Sequence, residues 1–315
     1  MDKIIFFHMN QLGDLLFSLP VIKAAKEESG SEIISVVKPS LAHILISSGL
    51  ADKIIPKEKS FFSLIKKLKK EKDAKGILFS ESPSSVLAAY FSGIKERTGF
   101  ESASLSFLLT KKAKRNGVPS LANNRELGKT AGFKNIQNDY TGIIKIPQQN
   151  IKNVSKWFEE NNLIPSKTIA ISPGASKKRK DKQLAPEKWA EIIDALHDKG
   201  FSCVLSGAVW EKDDLNAIAR MCKNMPKLFT ADNGILDSAA FLKACKLFAG
   251  IDSGAMHLAA AVGTKCIGIF GRTDPLQIGP MPLEKHIIIK KDRLSDITVL
   301  DIVNVIIKDR VKSGE

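Results

Sequence analysis

Short apolar runs alternate along the chain with longer stretches whose apolar positions recur every three or four residues, and the rhythm begins at once. Residues 4–7 read as a strand and 15–26 as the helix after it. Strand 33–37 precedes a helix over 41–48, and strand 77–79 precedes one over 84–91. This alternation predicts an α/β fold with a doubly wound parallel sheet, because a parallel neighbour is reached only by a crossover long enough to hold a helix. A polar stretch at Pro147, Gln148, Gln149 and Asn150, then a helix carrying Trp157 and Phe158, interrupts the pattern. It restarts at 168–172 and gives helix 186–197, strand 203–206, helix 213–222, helix 238–244, strand 247–249, helix 255–262, strand 266–270, strand 286–289 and helix 299–308. Two domains are expected, 1–150 and 151–315, with the last helix a candidate to pack back on the first. Ligands are expected at the carboxyl ends of the strands, between the domains.

The 315 residues suffice for two such domains, and 43% apolar with 26% charged residues is an ordinary globular mixture that excludes disordered and fibrous classes. Lys and Arg number 48 against 34 Asp and Glu, a net charge of +14 that favours polyanions without choosing among them. The basic runs at 66–75, 111–115 and 177–182 lack the aromatic interleaving of a nucleic-acid reader, so no nucleic-acid partner is expected. Two segments combine apolar and basic positions. Residues 61–70 read as a core helix with a solvated lysine face, or as a membrane-surface helix. The cluster 105–109, followed by Lys111, Lys112, Lys114 and Arg115, is the better membrane candidate, because its apolar cluster is compact and its charge lies to one side.

Cys203, Cys222, Cys245 and Cys266 form no C-x-x-C pair and read as small core residues in a reducing compartment. The N-terminus has no signal-peptide pattern, and no apolar run reaches the roughly 18 residues of a membrane span. A cytoplasmic protein is expected, with peripheral contact at the inner face of the membrane left open.

No G-x-G-x-x-G follows the first strand and no Walker-type loop occurs, which argues against dinucleotide oxidoreductases and P-loop enzymes. Gly250-Ile251-Asp252-Ser253-Gly254 has its serine one place too late for a nucleophile elbow. Three strand-to-helix turns remain. In the first, running from His8 through Gly13 and Asp14 to Pro20, Gly13 allows a tight turn and Asp14 stands at a helix start, either as an N-cap or as a functional carboxylate. The second, Ser172-Pro173-Gly174-Ala175-Ser176, leads into five cations between Lys177 and Lys182 and has an anion as its plausible partner. In the third, Asp252 to Ala261, small residues let a phosphate approach the N–H groups of a helix start, while His257 taken alone reads as a packing residue.

Together these turns resemble glycosyltransferase family 9, the heptosyltransferases of the lipopolysaccharide inner core. The likeness rests on four blocks in order: Leu12-Gly13-Asp14 with Pro20; Pro173-Gly174-Ala175-Ser176 with Lys182 and Pro186-Glu187-Lys188-Trp189-Ala190; Asp252 to Ala261; and Phe270-Gly271-Arg272-Thr273-Asp274-Pro275. The resemblance implies a GT-B architecture, two Rossmann-like domains facing a central cleft. The acceptor would lie on the first and the nucleotide sugar mainly on the second. It further implies inverting, metal-independent transfer of heptose from ADP-heptose to a lipopolysaccharide core acceptor, with no cofactor. Asp14 matches the general base. Ser176, Lys182, Asp252, Ser253, Gly254 and His257 match donor contacts, and Glu211 resembles the acid that holds the nucleotide ribose. Gly13, His8, Asn10 and Gln11 fall on the acceptor side. His8 stands where relatives carry Arg or Lys, Asn10 and Gln11 where they carry small hydroxyl residues, and Leu184 where they carry an aromatic. These departures leave room for another donor or acceptor. The alternatives are a different GT-B enzyme, such as a sugar-nucleotide epimerase, and a non-enzymatic nucleotide or polyanion binder.

Overall fold

Isoleucine, leucine and phenylalanine dominate the central strands, since a parallel sheet covered on both faces favours branched and aromatic side chains. The computed structural model describes residues 2–57, 60–71, 73–117, 119–174, 183–230, 232 and 234–312. Two compact units, 1–145 and 146–315, each enclose one sheet.

In the first unit, β1 (Lys3–Phe7), α1 (Leu12–Ser29), β2 (Glu32–Val37), α2 (Pro39–Ser47) and β3 (Lys53–Pro56) form one half. Then α3 (Phe61–Leu68), β4 (Lys75–Leu78), α4 (Pro83–Phe91), β5 (Glu96–Phe100), β6 (Lys111–Ala113) and α5 (Ser120–Thr130) form the other. All pairings are parallel, in the order β3-β2-β1-β4-β5-β6; Phe6 is opposite Ser35 on one side and Ile77 on the other. α3 and α4 cover one face of the sheet, where Leu64, Ile65, Leu68, Ala88 and Ala89 pack on Ile5, Phe7, Ile34 and Val36.

The second unit opens with α6 (Gln148–Glu160), followed by β7 (Thr168–Ser172), α7 (Pro186–His197), β8 (Ser202–Gly207), α8 (Lys212–Met221), β9 (Lys227–Thr230) and α9 (Ile235–Ala244). β10 (Leu247–Ile251), α10 (Gly254–Ala261), β11 (Cys266–Phe270), α11 (Pro275–Ile278), β12 (Ile287–Lys290) and α12 (Val299–Lys312) complete it. Its sheet, β12-β11-β10-β7-β8-β9, has the winding of the first when counted from β7. The last helix, α12, packs on α7. The four cysteines are free thiols, three of them buried.

The structure adds β3, β5, β6, β9, α5 and α11 to the elements expected from sequence. β6 is only Lys111-Lys112-Ala113, an edge strand whose exposed lysines carry no apolar alternation, and such strands are set by their neighbours. The 105–109 cluster divides: Leu105 and Leu108 pack against the core and Leu109 is buried, whereas Phe107 is exposed. Among the described residues no helix is long and apolar enough to cross a membrane.

Candidate functional site

Both sheets reverse their strand order between two neighbours, β1 and β4 in the first unit and β7 and β10 in the second. Crossovers leave such a point in opposite directions, so the following loops open a crevice at the carboxyl edge of the sheet. The residues singled out from sequence and described in the structure fall at or next to these two edges.

At the first edge, His8 continues β1, its N–H donating to the Val36 carbonyl at 3.1 Å. Its imidazole is buried, 3.2 Å from Ser35 Oγ and 3.4 Å from Ser18 Oγ, and stacks on Phe79. Burial, with the Lys57 charge, lowers its pKa to about 3, so the ring is neutral at physiological pH. Asn10 and Gln11 are exposed, and Gln11 is the N-cap of α1, without a side-chain cap bond. Asp14, next to Gly13 and three residues beyond the cap, therefore sits within the first turn rather than at the cap. Its carboxyl is half-buried, and no side chain among the described residues donates a hydrogen bond to it. Burial raises its pKa and the Arg115 charge opposes this incompletely.

The same edge carries charged side chains that sequence reasoning did not assign to the site, and of these Arg115 is close enough for its charge to act on Asp14. Arg115 Nη2 donates to Glu81 Oε2 at 2.6 Å, and the guanidinium lies 4.3 Å from the Phe100 ring centre. Glu81 also accepts from Ser102. Burial works to raise the Glu81 pKa, but the bonds from Arg115 and Ser102 outweigh it and hold the carboxyl below its usual range. Lys57 Nζ donates to the His8 carbonyl at 3.4 Å, and burial keeps this ammonium below its usual pKa. Beside Glu81, the Ser80, Ser82 and Ser85 hydroxyls bond to one another at 2.9–3.0 Å over the start of α4. Arg115 was legible only as one charge in a basic run; the fold, not its spacing, brings it to Glu81 and Asp14.

The second edge is built largely of backbone. A Cβ on Gly250 would lie 2.7 Å from the Ser172 carbonyl, so β7 and β10 approach this closely only with glycine there. After β7, Gly174 lies against Glu211, and a Cβ at 174 would occupy the carboxylate's place. Glu211 Oε2 accepts from the Ala208 N–H at 2.7 Å. Burial raises the Glu211 pKa, with Asp214 adding to the effect and the Ala208 bond opposing it. After β10, the Asp252 N–H donates to the Ile269 carbonyl at 3.2 Å, Ser253 is the N-cap of α10, and Gly254 opens the helix. Ser253 Oγ is buried without a hydrogen-bond partner among the described residues, beside N–H groups that a helix start leaves unsatisfied. His257 is buried on the same helix.

Next to this turn an open-sided pocket of about 310 Å³ is lined by residues that include Asp252, Arg272, Thr273, Asp292 and Arg293. Arg272 and Thr273 were visible as part of a motif. Arg293 was not, because it arrives from beyond β12. Leu184 packs in the core of this unit. Ser176 and Lys182 lie outside the described residues. Among the described residues no three His, Cys, Asp or Glu side chains converge as a metal site.

Residues 61–297 match the model of glycosyltransferase family 9 (heptosyltransferase). Lipopolysaccharide heptosyltransferase 3 of Escherichia coli is 40% identical over 91 residues, 28% of this chain and 26% of that protein, so this match spans about a quarter of the relative. Lipopolysaccharide heptosyltransferase 2 of Escherichia coli K12 is 23% identical over 91% of this chain and 87% of its own length. Among solved structures, a family 9 glycosyl transferase from Veillonella parvula superposes with a TM-score of 0.88 at 16% identity, covering 99% and 97% of the two chains. The E. coli heptosyltransferase WaaC with ADP-2-deoxy-2-fluoro heptose gives 0.77 at 19% identity, covering 98% and 99%. The family match extends over more than half of the sequence and the two Rossmann-like sheets have the GT-B fold, so the chain belongs to glycosyltransferase family 9 and is a glycosyltransferase.

Proposed function

We propose that the protein transfers heptose from ADP-heptose to a sugar of the lipopolysaccharide inner core, with inversion and without a metal. The acceptor hydroxyl gives its proton to the Asp14 carboxylate as its oxygen bonds to the anomeric carbon. The bond from that carbon to the diphosphate breaks on the opposite face and ADP departs. The carrying observation is Asp14 itself: a half-buried carboxylate in the first turn of α1, with raised proton affinity and no donor among the described residues. A base of this kind contributes about 10²–10⁴ in rate. Lys57, Arg115 and the serine cluster at the start of α4 supply hydroxyl and cationic contacts for an acidic sugar acceptor.

On the donor side, Glu211 is assigned to the ribose. Ser253, Gly254 and the α10 N-terminus, with Ser176 and Lys182 of the basic segment that follows β7 in sequence, are assigned to the diphosphate, whose growing charge they stabilise. Asp252 and His257 shape the loop around it. Gly13, His8, Asn10 and Gln11 form the acceptor-side turn, where His8 acts from within the core by holding the backbone that Lys57 bonds.

The solved relative carrying an ADP-heptose analogue supports the donor assignment, as do the heptosyltransferase relatives. The test is mass-spectrometric product analysis with ADP-heptose and defined core acceptors. Heptose-extended core formed equally well with EDTA present is the expected result. Titration with ADP, UDP and GDP separates donors, and tighter binding of UDP or GDP than ADP would overturn the donor assignment.

A further inference from the structure

The first unit has another surface, on the outside of its α3 and α4 layer, which the transfer chemistry leaves unused. Four aromatic side chains stand out there: Phe62 is 80% exposed, Phe107 74%, Phe91 54% and Tyr90 45%. Among the described residues, the other aromatic of comparable exposure is Trp210, in the second unit. The four come from three packed elements, since α3 lies against α4 and α4 against the 3-10 turn Ser106–Leu108. Tyr90 and Phe91 meet edge to face at 5.5 Å. Arg97 joins them to the turn that bears Phe107, its guanidinium 5.4 Å from the Tyr90 ring centre and its Nε donating to the Leu108 carbonyl at 2.7 Å. Beneath them Leu64, Leu68, Ala88 and Leu109 are buried in the core, so the exposed rings ride on a fixed scaffold.

The charge around these rings is mostly of one sign. Phe62 and Lys66 follow one another at i and i+4 on the solvent side of α3, and Lys69, exposed at its C-cap, continues the row at i+7. Lys95 follows α4, and Lys112 is exposed on β6; the nearby acid Glu96 is paired with Lys111 at 2.9 Å. Peripheral membrane binding needs both signals, apolar rings for the headgroup boundary and cations for the lipid phosphates. We propose that this face docks the enzyme on an anionic phospholipid bilayer. A second copy is a poorer occupant, because an isologous pairing sets lysines against lysines. Docking deepens the lipid-linked-acceptor reading, yet it is measured without donor or acceptor, so either can fail while the other stands.

The experiment is vesicle co-sedimentation of the full chain with phosphatidylglycerol and with phosphatidylcholine vesicles, at low and high salt. Binding to the anionic vesicles that weakens with salt is expected. Phe62→Ser, Phe91→Ser and Phe107→Ser combined should lower partitioning about a hundredfold, and Lys66→Glu with Lys69→Glu about tenfold. Trp210→Ser should bind as the parent does. These sites are exposed, and unchanged circular dichroism and ADP binding will verify folding. The proposal is overturned if the parent shows no preference for anionic vesicles, or if the triple serine variant binds undiminished. It is equally overturned if ultracentrifugation shows that the serines dissolve a dimer, which would assign the rings to a second copy.

Discussion

The two carboxyl edges share one winding and are made of different material. In the first, side chains hold one another: Arg115 on Glu81 and Phe100, Ser102 on Glu81, Lys57 on the His8 carbonyl, with Asp14 left free of donors among the described residues. In the second, Gly174 and Gly250 bring backbone close, Glu211 fills the space a side chain at 174 would take, and α10 presents its N–H groups. An edge of tuned side chains suits proton transfer, whose efficiency depends on pKa. An edge of backbone donors suits a diphosphate, which needs fixed positive dipoles. On the proposed reading one topology would carry two chemistries, because the loops at the two edges differ.

The sharpest way to break this comparison is Asp14→Ala. Turnover should fall about 10²–10⁴-fold while ADP affinity, measured by calorimetry, stays nearly constant; equal loss of both would show that Asp14 merely supports the helix. Next in size is the buried imidazole of the first edge. His8 has a folded pKa of about 3 against 6.5 when unfolded, so the unfolded chain takes up the proton first as pH falls. Stability is then complete above about pH 6.5 and declines toward pH 3, by about 2 kcal/mol at pH 5 from this group. Denaturant melts at pH 8 and pH 5 should show this loss in the parent and not in His8→Gln. His286, lowered to about 4 by burial, contributes to both proteins and cancels.

On the donor edge, Glu211→Gln should raise the donor KM about tenfold with kcat little changed, as expected when binding alone is lost. A kcat loss like that of Asp14→Ala would erase the division of labour. The smallest effect concerns tuning. Because the raised Asp14 pKa must be exceeded for the base to work, kcat/KM should rise with pH through a point above the pKa of an ordinary aspartate. Since the Arg115 charge lowers that pKa, Arg115→Gln should move this limb to higher pH, a loss confined to the acidic limb that vanishes in alkali.

Much of the fold was legible because buried parallel strands are long apolar runs separated by amphipathic helices, as in β1, β2, β7, β10 and β11. Three of the four edge strands, β3, β6 and β9, were not. Lys111–Ala113 and Lys53–Pro56 bury few positions, so nothing in their own pattern favours a strand until a neighbour offers its hydrogen bonds. The candidate site divides similarly. Asp14, Asp252, Ser253 and Gly254 belong to local turns whose meaning is written in consecutive residues. Glu81, Ser102, Arg115 and Arg293 join their edges through loops distant in sequence, so no spacing reveals them.

The sequence alone determined the α/β class, the restart of the winding and the glycine turns, all of which follow from short-range pattern and backbone sterics. Only the tertiary structure decided that His8 is neutral and enclosed, that Asp14 has raised proton affinity within reach of a guanidinium's field, and that Phe62 and Phe107 stay outside while their leucine neighbours go in. Burial and charge proximity are properties of what the rest of the chain brings alongside a residue, and they do not exist until it is folded.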